Sequence, residues 1–209
     1  MTVTRRDAMM GVVAGLALPA RAGAGDATAW LNPPTIWKAT STGLTMRAET
    51  GSDFWRKTLV NDAIIDSGHL FYRKVAGDFV STVTVDADYA GDADQTGLMV
   101  RADAANWMKT GVEWLHGRLN SATVFTRDGS DGSVSPLPGW TGPIRLRVSR
   151  RGPILACAYA RPGEAFVDVR LGPLAMGETV QLGLTACAPF GKPFEARFSG
   201  WTVETPQAS

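Results

Sequence analysis

Two cysteines, two histidines and a formal charge of +1 leave this chain of 209 residues short of several kinds of chemistry. His69 and His116 stand apart, and neither has a Ser or Cys nucleophile with a supporting carboxylate at a readable spacing, so no nucleophilic triad is legible. Cys157 and Cys187 belong to no metal-type spacing. Lys and Arg number 21 against 20 Asp and Glu, and basic residues nowhere cluster with exposed aromatics, which argues against nucleic acid as a partner. No segment holds a helical period over three turns. Beyond the first two dozen residues no apolar run is long enough to cross a membrane.

The N-terminus is rich in a different signal. Arg5 and Arg6 precede the apolar run from Ala8 to Leu18, and Ala20, Ala22 and Ala24 follow as small residues around a cleavage point. TRRDAMM resembles a twin-arginine export signal, although Ala8 stands where a bulky apolar residue is commoner. Residues 1–24 are therefore expected to be removed on export, leaving a periplasmic or secreted protein with no membrane segment. In an oxidising compartment Cys157 and Cys187 would close a loop of about thirty residues if they paired, which loop-closure arguments put at roughly 3 to 4 kcal/mol. Both sit in apolar strand-like runs, which favours two buried thiols instead.

From Gly43 onward, short alternating runs are separated by turn residues, including Gly91-Asp92, Asp128-Gly129, Asp131-Gly132 and Pro162-Gly163. Eleven strands are expected, at residues 44–49, 69–75, 78–89, 95–102, 107–115, 119–127, 144–150, 154–161, 166–171, 179–186 and 194–204. That many strands in one domain, residues 27–205, predict an all-β sandwich of two antiparallel sheets. Residues 27–37, with Asn32-Pro33-Pro34, suit an edge. Residues 53–66 form the longest piece without alternation, which either binds a ligand or caps the sandwich.

The stretch QTGLMVRADAANWMKTGVEW carries the strongest site signal. Leu98, Val100, Met108, Val112 and Trp114 share one face, while Gln95, Met99, Arg101, Trp107, Lys109 and Glu113 share the other. Pairing residues whose numbers sum to an even value preserves that division. The register that leaves Ala104-Ala105-Asn106 as the loop, with Asn106 left-handed, sets Arg101 opposite Lys109. Like charges so opposed need an anion, a ligand or Glu113 between them.

DFWRKT, DSGHLFY, GDFVSTVTV, DQTGLMVRAD, NWMKTGVEW and TRDGSDGSV, then RLRVSRRG and VQLGLTACAP, occur in an order and spacing that resemble the regulation of enolase family across residues 30–205. That family is a domain of unknown function. The resemblance implies a concanavalin A-like jelly-roll β-sandwich, an architecture shared by lectins, carbohydrate-binding modules and glucanases, and it implies no particular activity.

The candidate contacts are Gln95, Arg101, Trp107, Lys109 and Glu113, with Trp55, His69 and Arg127 as outlying candidates. An indole offers a flat face to a sugar ring, and Gln, Arg, Lys and Glu hydrogen-bond its hydroxyls, so the expected ligand is a saccharide or other small polar molecule, without metal or cofactor. Ordinary surface salt bridges are the competing explanation, and a protein-interaction module without saccharide affinity is a further alternative. His69 reads equally as a satisfied structural residue. Trp55 and Arg56 suit either a pocket wall or loop packing. Arg127, Asp128 and Asp131 border the same cleft or simply form turns. A hydrolase would need Glu113 with a second carboxylate, Asp66, Asp94 or Asp128; the E-x-D-x-x-E motif of one glucanase group is absent. DADYAGDAD lacks an EF-hand spacing and reads as a solvated turn.

Overall fold

The computed structural model describes residues 27–59 and 61–206, and the expected export signal lies outside them. One seven-stranded sheet runs in spatial order β1 (Thr28–Leu31), β6 (His69–Ala76), β15 (Thr179–Cys187), β8 (Asp94–Arg101), β9 (Asn106–Leu115), β10 (Arg118–Arg127) and β11 (Gly129–Pro136). The second runs β14 (Val167–Pro173), β13 (Ile154–Ala160), β12 (Ile144–Arg151), β7 (Phe79–Ala87), β16 (Phe194–Glu204), β3 (Gly43–Ala48) and β2 (Trp37–Ala39). A separate hairpin joins β4 (Phe54–Arg56) to β5 (Ile64–Asp66). Every pairing between these strands is antiparallel, and no helix occurs among the described residues. The protein is thus an all-β sandwich of two antiparallel sheets.

Alternation explains the core. In β7, Ser81, Val83 and Val85 are buried while their neighbours are only partly so, and β12 repeats the pattern with Ile144, Leu146 and Val148. The apolar residues among these meet Leu98, Val100, Met108, Val112, Phe125, Leu182 and Leu184 of the facing sheet in one continuous cluster. The apolar face expected for β8 and β9 therefore points inward, with Trp114 packed at its border. Burying some dozens of such side chains, each contributing about 1.5 to 3 kcal/mol, is what orders two sheets with so many strands.

All eleven expected strands form, with ends displaced by a residue or two, and five more exist. β1 and β2 are the edge pieces expected around Asn32-Pro33-Pro34, one on each sheet. β4 and β5 lie within the segment that shows no alternation, because Lys57, Leu59, Asn61 and Asp62 all take left-handed backbone conformations in the turn between them. β11 corrects the reading of Asp131-Gly132 as a turn: the turn is at Asp128, which is left-handed, and Asp131-Gly132 lie in a glycine-bearing edge strand.

Both cysteines are free and buried. Cys157 belongs to the core between the sheets, whereas Cys187 joins a second cluster on the opposite face of the first sheet, so that sheet separates them. Burial pushes both thiols up to about 12.

Candidate functional site

The β4–β5 hairpin lies on the outer face of the first sheet and explains why β8 and β9 are buried on both faces. Phe54, Leu70, Met99, Trp107, Val124 and Cys187 form an apolar cluster beneath it, with the Phe54 and Trp107 rings 6.2 Å apart. Arg56 N donates to Ser130 Oγ at 3.0 Å, and Arg56 and Lys57 both reach the Asp128 carboxylate, fixing the hairpin to the β10–β11 turn.

The pairing of β8 with β9 corrects one expectation and keeps another. Arg101 stands opposite Trp107, Met99 opposite Lys109 and Gln95 opposite Glu113, two residues out of the expected register. Parity is unchanged, so the face division survives. The loop closes through Asp103, whose Oδ1 accepts from Ala105 N at 2.7 Å and Asn106 N at 2.8 Å, and Asn106 begins β9 instead of taking a left-handed turn position.

The charged residues find partners that sequence spacing does not reveal. Arg101 makes a bidentate pair with Asp66, both bonds 2.9 Å, and Lys109 Nζ donates to Asp53 Oδ1 at 3.0 Å. The hairpin and its flanks therefore supply the bonded counter-charges, and Glu113 acts on Lys109 only through space. Burial opposes the Lys109 charge, but the neighbouring acidic groups, Asp53 foremost and Glu113 least, together hold the ammonium above its ordinary range. Burial raises Glu113, and nearby Asp53 adds to this; Lys109 and the Gln95 amide, 3.4 Å away, only partly offset it.

What the hairpin leaves uncovered is a trough running across the strands. Thr185, Gly97, Gly111, Ala122 and Val134 are successive cross-strand partners from β15 to β11, which makes a floor about 19 Å long at the usual strand spacing. Lys109 and Gly132 lie in the row on one side, and Gln95, Glu113 and Asn120 in the row on the other. The cavity above has a volume of about 610 Å³, and Trp55, Thr58 and Leu59 of the hairpin form its wall. The Trp55 indole N–H donates to Thr58 O, which fixes the ring beside Gly132.

Of the sequence candidates, the cavity brings together Trp55, Gln95, Lys109 and Glu113. Trp107, only 1% exposed, lies under Phe54 and presents no ring face to a ligand, which corrects its expected stacking role. Arg101 is buried in its pair with Asp66 and does not line the cavity. His69 is a satisfied structural residue: Nε2 accepts from Glu49 N at 3.1 Å and Nδ1 donates to Asn32 O at 2.7 Å. Arg127 lies over Phe125, 5.4 Å from the ring centre, and away from the trough. Of Asp128 and Asp131 only Asp131, in β11, borders it, held by Arg170 at 2.6 Å.

The carboxylates suggested as partners for Glu113 are all engaged elsewhere. Asp66 holds Arg101, Asp128 holds Arg56 and Lys57, and Asp94 accepts from Ala90 N and Gly91 N, both at 2.7 Å. DADYAGDAD is solvated through its middle, where Asp88, Ala90 and Asp92 are exposed, but its last residue, Asp94, is fully buried. Among the described residues no group of three or more His, Cys, Asp or Glu is placed to hold a metal ion.

The raised Glu113 makes a signed prediction. A carboxyl whose folded-state affinity for protons exceeds the unfolded value stabilises the fold relative to neutral conditions while protonated, and that advantage is lost as pH rises through the folded value. Glu113→Gln should therefore be more stable than the parent at neutral pH, with the difference shrinking as pH falls through the raised folded value toward the ordinary carboxylate value. Thermal melts across that range check it; a constant difference at every pH contradicts it.

A two-sheet sandwich with a walled trough on one outer face is the class these features define. The chain belongs to the family described as "Protein of unknown function (DUF1349)", which matches residues 30–206. It is 29% identical over 177 residues to "Regulation of enolase protein 1" of Saccharomyces cerevisiae, covering 85% of this chain and 89% of that protein. A crystal structure of a functionally unknown protein from Saccharomyces cerevisiae superposes with a TM-score of 0.82 at 29% identity, over 87% of this chain and 97% of that one. The GH43 BlXynB protein from Bacillus licheniformis has a similar sandwich, with a TM-score of 0.62 at 14% identity, over 78% of this chain and 33% of that protein.

Proposed function

We propose that this protein is an exported, non-catalytic glycan-binding module whose trough holds a saccharide chain laid across the strands. The observation that carries this reading is the bare floor of Gly97, Gly111 and Ala122, flanked by Gln95 and Glu113 on one side and overlooked by the Trp55 ring on the other. A glycine floor lets a ring approach the backbone closely, an indole supplies apolar contact, and an amide with a carboxyl supplies donors and acceptors for hydroxyls. The likeness to a sandwich within a GH43 protein is one of fold, consistent with this use of the scaffold. Export rests on the Arg5-Arg6 pair and the apolar run after it.

Trp55 supplies the test. Trp55→Ala is expected to weaken oligosaccharide binding about tenfold, as loss of roughly 1 to 1.5 kcal/mol of stacking requires. Titration calorimetry with a glycan panel on the mature protein reads this, and unchanged affinity sinks the reading.

One observation favours a second reading, a glycoside hydrolase. Glu113 keeps its proton above the ordinary carboxylate range, as a general acid would, and Asp53 lies within its electrostatic reach. Against it, the Asp53 carboxylate is occupied by Lys109 and by Phe54 N at 2.7 Å. Glu113→Gln separates the two: a binding module keeps most of its affinity, whereas a hydrolase loses turnover.

A further inference from the structure

The charge balance of the trough bears on which saccharides it accepts, an inference that rests on the glycan-binding reading. Among the described residues lining the cavity, Lys109 is the one cation, and its ammonium is matched by Asp53 at 3.0 Å. Of the acidic lining residues, Glu113 and Asp131, the second is already matched by Arg170 at 2.6 Å and stands opposite inward-facing Phe125. The other cations nearby are also committed: Arg101 to Asp66, Arg170 to Asp131, and Arg56 and Lys57 to Asp128. Glu113, by contrast, has a neutral amide as its hydrogen-bond partner.

A chain bearing a carboxylate on each ring would thus bring negative charge against Glu113, with no uncommitted cation among the described lining residues to receive it. Like charges brought together in a partly desolvated groove are a strong element of discrimination. A neutral chain meets no such opposition, and its hydroxyls find Gln95 and Glu113. We propose that the trough selects neutral oligosaccharides and rejects acidic ones of the same shape, with the Asp53–Lys109 pair as the specificity device that withholds a positive charge from the ligand.

The test uses matched pairs. Mannan and mannuronan oligomers of equal length share backbone and linkage and differ in whether the hydroxymethyl carbon is oxidised to carboxylate; glucan with glucuronan, and methyl-esterified with free galacturonan, extend the comparison. Calorimetry on the mature protein at neutral pH and low salt should show binding confined to neutral members, with a preference of at least about tenfold in any pair that binds. An acidic member binding as tightly as its neutral counterpart overturns this inference while leaving glycan binding intact. Binding to neither arm, across this panel and neutral xylan and cellulose oligomers, removes the glycan-binding reading itself and this inference with it. Asp53→Asn keeps the size of the side chain and exposes the Lys109 charge, so it should narrow the preference for neutral members several-fold, with a salt dependence the parent lacks. If that variant does not fold, the parent comparison alone decides.

Discussion

Gly111→Ala is expected to lower the melting temperature by about 10 °C or to abolish soluble expression. Gly97 and Gly111 face each other across β8 and β9 so closely that a Cβ on Gly111 would land on the Thr96 carbonyl oxygen, and one on Gly97 on the Thr110 carbonyl oxygen. Neither obstacle is a side chain that can swing away. Both belong to backbone in the middle of a seven-stranded sheet, so relief requires parting two central strands. Overpacking of this kind costs about 3 kcal/mol or more, and in a domain of this size each kcal/mol shifts the midpoint by roughly 2 to 4 °C. Gly142→Ala is the control, since nothing lies within 4 Å of its Cβ position, and it should melt within a degree or two of the parent because the added methyl meets no obstacle. Differential scanning calorimetry compares them; a Gly111→Ala protein as stable as the control would mean that the strands are not so closely opposed.

Lys109→Ala is expected to be the most damaging of the charge deletions, at about 3 kcal/mol. Its partner Asp53 has a side chain only 14% exposed, so removing the ammonium strands a carboxylate that water reaches poorly. Arg101→Ala leaves Asp66 behind with 34% exposure, better able to hydrate, and should cost less despite losing a bidentate pair. The comparison separates counter-charge from packing. Removing both members of the first pair, as Lys109→Met with Asp53→Leu, should recover part of the loss, because no isolated charge remains. Denaturant unfolding of these variants measures the differences. Equal effects of the two single substitutions would show that burial of the partner does not govern the cost.

Much of the fold is legible from alternation because its strands obey the period of two wherever one face meets the core. β7 and β12 are examples, and the apolar face of β8 and β9 follows from the same rule. The rule fails where a residue's conformation or partner is set by distant chain. Four left-handed residues hide the β4–β5 hairpin, and a glycine-bearing edge strand hides β11. The charges on the outer face of β8 and β9 mark an unusual surface, but their spacing suggests residues reaching for a ligand when Asp66 and Asp53 reach for them. Those pairs are separated by 35 and 56 residues, and no local spacing announces them.

About half of the site is visible in the sequence. Gln95, Lys109 and Glu113 stand out as polar residues in strands, and Trp55 as an aromatic in a segment without alternation. The floor has a fainter signal, isolated glycines at positions 97 and 111, mid-strand, which are a common sign of close backbone approach. Trp107 misleads because an indole beside a lysine suggests an exposed platform; only the hairpin above it converts that surface into a second core.

Amide and indole chemical-shift mapping of the mature protein, during titration with a neutral oligosaccharide, decides whether the trough is where a saccharide binds. Saturable shifts are expected at Gly97, Gly111, Ala122 and Glu113 and at the Trp55 indole, with residues on the outer face of the second sheet unmoved. Shifts confined to another surface, or none at millimolar oligosaccharide for any neutral chain, would contradict glycan binding in the trough.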